Sequence, residues 1–140
     1  MRLDAFRTPY KSFFVGYIKS DEVTITEPME FVIDTGAQST TISAYYFDNN
    51  FDYSQLSEGT PVFGVGGFQK TFIIHNVRIY LYTLTKNWVL IGKFNQITVL
   101  SRRYNHETGE LINIPCLLGV DIIGNNYELI YDKKSTFLKD

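Results

Sequence analysis

The apolar run Phe31-Val32-Ile33 ends in Asp34-Thr35-Gly36-Ala37. This places a carboxylate at the tip of a buried strand, beside a hydroxyl and a glycine that lets another backbone come close. A carboxylate in such a place costs free energy unless hydrogen bonds or chemistry compensate it. Read alone, the triplet also fits an ordinary strand-end turn, because Asp and Gly favour turns. Two further segments stand out. One is glycine-rich, Phe63-Gly64-Val65-Gly66-Gly67-Phe68. The other, near the end, is Cys116-Leu117-Leu118-Gly119-Val120-Asp121, two large apolar residues followed by glycine.

Other residues that could do chemistry have plainer readings. Glycines 64–67 precede no amphipathic helix and lack the Walker lysine, so they read as the tip of an open hairpin. His75 and His106 lie far apart without metal-ligand spacing, and no metal is expected. Asp121 reads as the cap of a short helix. Asp48 and Asp52 read as solvated turn residues, and Trp88 as part of the core. Cys116 sits in an apolar stretch and reads as a small buried hydrophobe; as the one cysteine of the chain it excludes an internal disulfide.

The elements that position these residues follow from composition and pattern. With 140 residues, 44% hydrophobic and 20% charged, the chain suits one globular domain spanning 1–140. Its 10 Tyr and 11 Phe, with many Ile, Val and Thr, favour strands. The formal charge of −2 comes without a basic stripe, which argues against nucleic acid as a partner. No apolar run approaches the ~20 residues that span a bilayer, and Met1 to Arg7 has no apolar signal-peptide core. The expectation is a soluble, cytoplasmic protein with no membrane partner.

Along the chain, residues 1–11 read as a mobile arm or an edge strand. Ser12–Lys19 reads as a strand, Asp21-Glu22 as a turn, and 23–26 as the start of the return. Glu27-Pro28 interrupts it before Met29–Ile33 delivers Asp34. Residues 38–43 read as a strand and 44–51 as a short helical turn. Segment 61–74 forms two arms around Gly64-Val65-Gly66-Gly67. Residues 77–83, 88–91, 96–100, 111–118 and 127–131 read as strands, 101–110 as a polar hairpin tip, and 120–124 as a short helix near the C-terminus. About ten short strands with little helix imply an all-β, barrel-like domain.

The three segments, in this order, resemble the retropepsin-like aspartic peptidases, a family whose catalytic triplet is Asp-Thr-Gly. The resemblance runs from about residue 12 to about residue 132. Within it, Asp34-Thr35-Gly36-Ala37-Gln38-Ser39-Thr40 and Leu118-Gly119-Val120-Asp121-Ile122-Ile123 are similar to the cellular and microbial branch, which includes the protease domains of DNA-damage-inducible ubiquitin-shuttle proteins. Viral members usually carry an acid shortly after the triplet and an Arg after the late glycine. Gln38 and Val120 occupy those places here. The resemblance implies a closed, single-lobed acid-protease-like barrel in which residues 63–68 form a flap over substrate and Leu117, Leu118 and Gly119 support the catalytic loop.

Hydrolysis of a peptide without metal or covalent intermediate needs a base for water and an acid for the carbonyl or leaving amine. Two carboxylates held close together share one proton and supply both. This chain carries one such loop, so the second carboxylate must come from Asp34 of another copy, most simply in a twofold homodimer. By resemblance, Asp34, Thr35 and Gly36 are the catalytic triplet, with the Thr35 hydroxyl bonding across the dyad and Gly36 allowing close approach. Ala37, Phe63, Gly64, Val65, Gly66, Gly67 and Phe68 would line an extended peptide or unfolded-protein substrate, with Phe63 and Phe68 favouring large apolar groups. No cofactor is implied. Two readings compete: a module on the same fold that grips a peptide without cutting it, and a barrel that binds single-stranded nucleic acid through its aromatics. The intact triplet speaks against the first, and the acidic balance against the second.

Overall fold

The computed structural model describes the chain apart from Thr26, Val65 and Gly66, and describes Phe63, Gly64 and Gly67 by backbone only. The strands are β1 (Arg2–Asp4), β2 (Phe6–Arg7), β3 (Ser12–Lys19), β4 (Met29–Ile33), β5 (Thr41–Ser43), β6 (Ser57–Glu58), β7 (Val62–Gly64), β8 (Gly67–Gln69), β9 (Thr71–Tyr82), β10 (Trp88–Leu100), β11 (Cys116–Leu118), β12 (Glu128–Tyr131) and β13 (Thr136–Lys139). Among the described residues, helix is confined to 3₁₀ turns at Ala44–Tyr46 and Tyr53–Gln55.

Strand alternation explains the barrel. On β3 the residues Phe14, Gly16 and Ile18 are buried and their neighbours are not; on β9 the same holds for Val77, Ile79 and Leu81. Each strand therefore has one apolar face to hide, and a sheet closed on itself hides them all. The order β3-β4-β11-β5-β10-β9 returns to β3 through its pairing with β9, making a closed ring of six. Phe14, Phe31, Ile42, Ile74, Val99, Cys116 and Leu118 fill it. A separate sheet, β1-β13-β12, lies alongside. Its buried Leu3 and Leu138 join the same core, and Thr136 shares a hydroxyl hydrogen bond of 3.0 Å with Ser12 of β3.

Several elements differ from the sequence expectation. Residues 88–91 and 96–100 belong to one strand, β10, which runs through Gly92 by means of a bulge between Leu90 and Gly92. Residues 111–118 shrink to β11, because 101–112 makes a small hairpin closed by the Tyr104–Leu111 bridge. Residues 23–25 are not a strand. The short helix expected at 120–124 is absent. Ile123 N–H bonds back to Gly119 and Asn126 N–H to Ile122, but Gly124 at φ 87° breaks the helical path, leaving consecutive turns. Residues 136–139, left without an expected element, form β13, held on both sides by β1 and β12, and the first residues take the edge-strand alternative. Trp88, expected in the core, is 45% exposed on the outside of β10.

Gly16 lets β3 pack closely on its neighbours β9 and β4. A Cβ on Gly16 would lie 2.7 Å from the Tyr80 carbonyl oxygen and 2.9 Å from the Phe31 ring. Gly16→Ala should therefore lower unfolding free energy by about 1–3 kcal/mol in urea titrations. An unchanged midpoint would show that the strands separate freely here.

Candidate active site

β4 runs parallel to β11, pairing Phe31 with Cys116, Val32 with Leu117 and Ile33 with Leu118. The ladder continues one step into the loop, where Asp34 N–H donates to the Leu118 carbonyl at 3.0 Å. Asp34 thus leaves the sheet at a fixed height and direction. Its Oδ1 accepts the Gly36 N–H at 2.9 Å, and its carbonyl accepts the Ala37 N–H at 3.2 Å. The side chain is half-buried, and Thr35 and Gly36 are exposed. The loop backbone is tied to the barrel, and the half-buried carboxylate sits beside the exposed Thr35 and Gly36.

The second loop locks onto the first. Val120 N–H donates to the Ala37 carbonyl at 2.9 Å. The buried Thr40 hydroxyl donates to Asp121 Oδ1 at 2.6 Å and accepts the Gly119 N–H at 3.0 Å. Thr40 N–H reaches both carboxylate oxygens of Asp121, at 3.0 and 2.9 Å. Asp121 therefore does not cap its own turn, as its sequence position suggested. It satisfies the backbone and hydroxyl of a residue on the opposite loop. Gly119 makes the approach possible, since a Cβ there would lie 2.7 Å from the Ser39 carbonyl carbon and 2.8 Å from the Ala37 carbonyl oxygen.

The structure brings together Asp34, Thr35, Gly36, Ala37, Leu117, Leu118 and Gly119. Phe63, Gly64, Gly67 and Phe68, also expected at the site, belong to the β7-β8 hairpin. There Val62 pairs with Gln69, Phe63 with Phe68, and Gly64 with Gly67. Phe68 is 78% exposed. Val65 and Gly66, the expected tip, lie outside the described residues. The hairpin is anchored at its base, where the Gln69 side-chain amide donates to the Ser101 carbonyl at 2.9 Å and Ser101 N–H donates to Lys70 at 3.1 Å.

The remaining candidates occupy structural places. The Cys116 thiol is buried and accepts the Ser43 N–H at 3.3 Å. Burial pushes its pKa up to about 12 despite that bond, so it stays a neutral thiol and not a nucleophile. His75 pairs through Nδ1 with Glu22 at 3.0 Å, and His106 sits in the 101–112 hairpin. Asp52 caps the second 3₁₀ turn, and hydrogen bonds from the Ser54 hydroxyl and N–H hold its pKa below the usual carboxylate value. Sequence reading carried Thr40 as the last residue of the Asp34 run and gave it no role of its own. The available signal was Asp121, a carboxylate flanked by Val120 and Ile122, which in a folded core calls for a partner.

No protein-family model matches this chain, and no curated protein sequence does. Solved structures do. A retropepsin-like aspartic protease from Rickettsia conorii aligns over 99% of this chain and 88% of its own, with a TM-score of 0.52 and 15% identity. EIAV protease complexed with the inhibitor HBY-793 aligns over 84% of this chain and 88% of its own, with a TM-score of 0.46 and 18% identity. The Rickettsia likeness identifies the barrel as acid-protease-like in fold.

The lock between the loops can be tested on stability alone. Thr40→Val keeps the shape but strands the Gly119 N–H and removes a donor from Asp121. The expected loss is about 1–3 kcal/mol by chemical denaturation. Thr40→Ser should recover most of it, and equal losses in both variants would mean that the hydroxyl is not what matters.

Proposed function

We propose that this chain is a retropepsin-like aspartic endopeptidase, built from a single domain and active as a homodimer. The observation that carries this reading is the Asp34 loop: a carboxylate oriented by the Gly36 N–H, on a backbone tied to β11, with Thr35 and Gly36 exposed beside it. An open surface of that kind is where a second, identical loop can meet the first about a twofold axis.

In the dimer the two Asp34 carboxyls share one proton and titrate as a pair. The ionised member takes a proton from water as the oxygen attacks the peptide carbonyl. The protonated member gives its proton to the carbonyl oxygen. Collapse of the tetrahedral species breaks the C–N bond, and the leaving nitrogen takes up a proton from the dyad. The β7-β8 hairpin from each copy serves as a flap over a peptide bound in extended form. Phe63 and Phe68 are assigned to apolar pockets, and the Thr35 hydroxyl to a bond across the dyad. No helix among the described residues is long and apolar enough to cross a membrane. The cytoplasm, where a lone thiol such as Cys116 stays reduced, is the compartment we assign.

Asp34→Asn should lower the cleavage rate of a casein digest on the order of 10³-fold or more, and pepstatin should block the wild-type activity. Mixing equal amounts of wild type and Asp34→Asn under exchanging conditions should leave about one quarter of the undiluted activity, because both loops must come from wild type. One half would mean that each chain works alone. Peptide binding without cleavage at any pH would favour the non-catalytic module.

Ala37 has no hydroxyl to offer the ionised dyad. A donor there would favour the charged form and lower the pKa of the dyad's base. Ala37→Ser should therefore shift the acid limb of the kcat/KM profile to lower pH, and an unmoved limb would count against the placement of Ala37 beside the carboxylates.

A further inference from the structure

The outer face of the barrel over β3, β9 and β10 carries side chains that the Asp34 loop does not use. Strand register sets them in rows. Tyr80 faces both Tyr17 and Leu90, and Tyr82 faces Trp88. Tyr17 and Tyr80 stack at 4.8 Å, while Trp88 stands edge-on to Tyr17 at 4.7 Å and tilted to Tyr82 at 4.9 Å. Beyond this platform, Arg78 is the register partner of both Lys19 and Lys93. Three exposed cations thus stand side by side on adjacent strands, roughly 5 Å apart at each step.

This row works against the fold. Like charges directly opposite in a sheet destabilise it. Among the described residues, none of the three has a carboxylate within ion-pair distance, and Lys19 rests its ammonium 5.7 Å from the Tyr80 ring. The β10 bulge creates the row. Strict alternation from Leu90 would turn Lys93 inward; the extra residue turns it outward against Arg78. The cations border a groove of about 840 Å³, lined also by Tyr17, Asn76, Phe94 and Asn95, with Asp21 as its acid.

We infer that this face is a docking site for an acidic peptide segment. Resting on the protease reading, it holds substrate proteins by a region other than the one that is cut. Carboxylates of an extended segment meet the Lys19-Arg78-Lys93 row, and its apolar side chains lie over Trp88 and Leu90, which are 45% and 38% exposed. A nucleic-acid strand fits less well: Tyr17 and Tyr80 cover one another's faces, and so short a row neutralises few phosphates on a chain of charge −2.

The test uses the full chain carrying Asp34→Asn, so that binding is read without cleavage. The probe is a fluorescein-labelled octapeptide alternating glutamate and leucine, compared with a lysine–leucine octapeptide and a thymidine oligonucleotide. The acidic peptide alone should show saturable anisotropy that weakens with salt. Arg78→Glu should weaken it about tenfold or more, and Lys93→Gln by less. Arg78→Glu also relieves the like-charge row, so its melting temperature should rise by about 2 °C, which separates lost binding from lost fold. Absence of saturable binding, binding that survives Arg78→Glu, or tighter binding of the oligonucleotide overturns the proposal. In the active chain, joining the acidic segment to a cleavable peptide should lower KM in wild type and not in Arg78→Glu, with kcat unchanged. If no form cleaves any peptide, the protease reading falls and the binding result still decides the docking site.

Discussion

The Asp34 N–H meets the Leu118 carbonyl, the Val120 N–H meets the Ala37 carbonyl, and the Thr40 hydroxyl stands between the Asp121 carboxylate and the Gly119 N–H. These bonds join two loops that are far apart in the chain and leave neither able to hold its shape alone. The Asp34 loop has too few internal bonds to fix a carboxylate: the Gly36 and Ala37 N–H groups are turned inward, and the rest of its backbone relies on the other loop. The 118–121 loop in turn has a buried N–H and a carboxylate that, among the described residues, Thr40 satisfies. A buried polar group without a partner costs more than its hydrogen bond contributes when made, so the pair is stable together and costly apart.

The barrel makes this pairing possible by running strands in parallel where the loops leave it. β4 is parallel to β11 and β5 to β10, so the ends of β4 and β11 emerge side by side. Parallel neighbours cannot be joined by a tight turn, and long stretches of chain must be routed elsewhere first. That routing builds the rest of the molecule. The hairpin of β9 and β10 closes the ring, and an aromatic cluster of Phe47, Phe51, Tyr53 and Phe72 packs under the segment between β5 and β6. Arg102 secures that segment by donating to the Ala44 and Phe47 carbonyls at the end of the first 3₁₀ turn.

Much of the fold was legible because strand alternation is a local signal. β3, β4 and the glycine hairpin follow from residue order alone, whereas β9 runs continuously through the gap left between 61–74 and 77–83, and the all-β class follows from the abundance of β-branched and aromatic residues. What escaped was set by contacts distant in sequence. Residues 136–139 carried no reading of their own, and they form β13 because β1 and β12 flank them. Trp88 reads as core because large aromatics usually are, yet its neighbours across the sheet are tyrosines on the outer face. The bulge in β10 carries no mark beyond Gly92, so one strand read as two. Of the candidate site, the Asp34 loop and the apolar-glycine segment were visible as motifs. The role of Asp121 was not, because its partner Thr40 is fixed only by the parallel pairing of the loops.

The pairing of the two loops also sets an order of assembly. Contacts between residues near 34 and residues near 120 close a long stretch of chain, and such contacts form slowly relative to hairpins. A chain emerging from the ribosome presents Asp34 well before residues 118–121, the segment that orients it. Until then the carboxylate sits on an untethered loop with no fixed direction. The shape of the Asp34 loop therefore waits on residues 118–121, and a shorter fragment that already carries the acid holds it without direction.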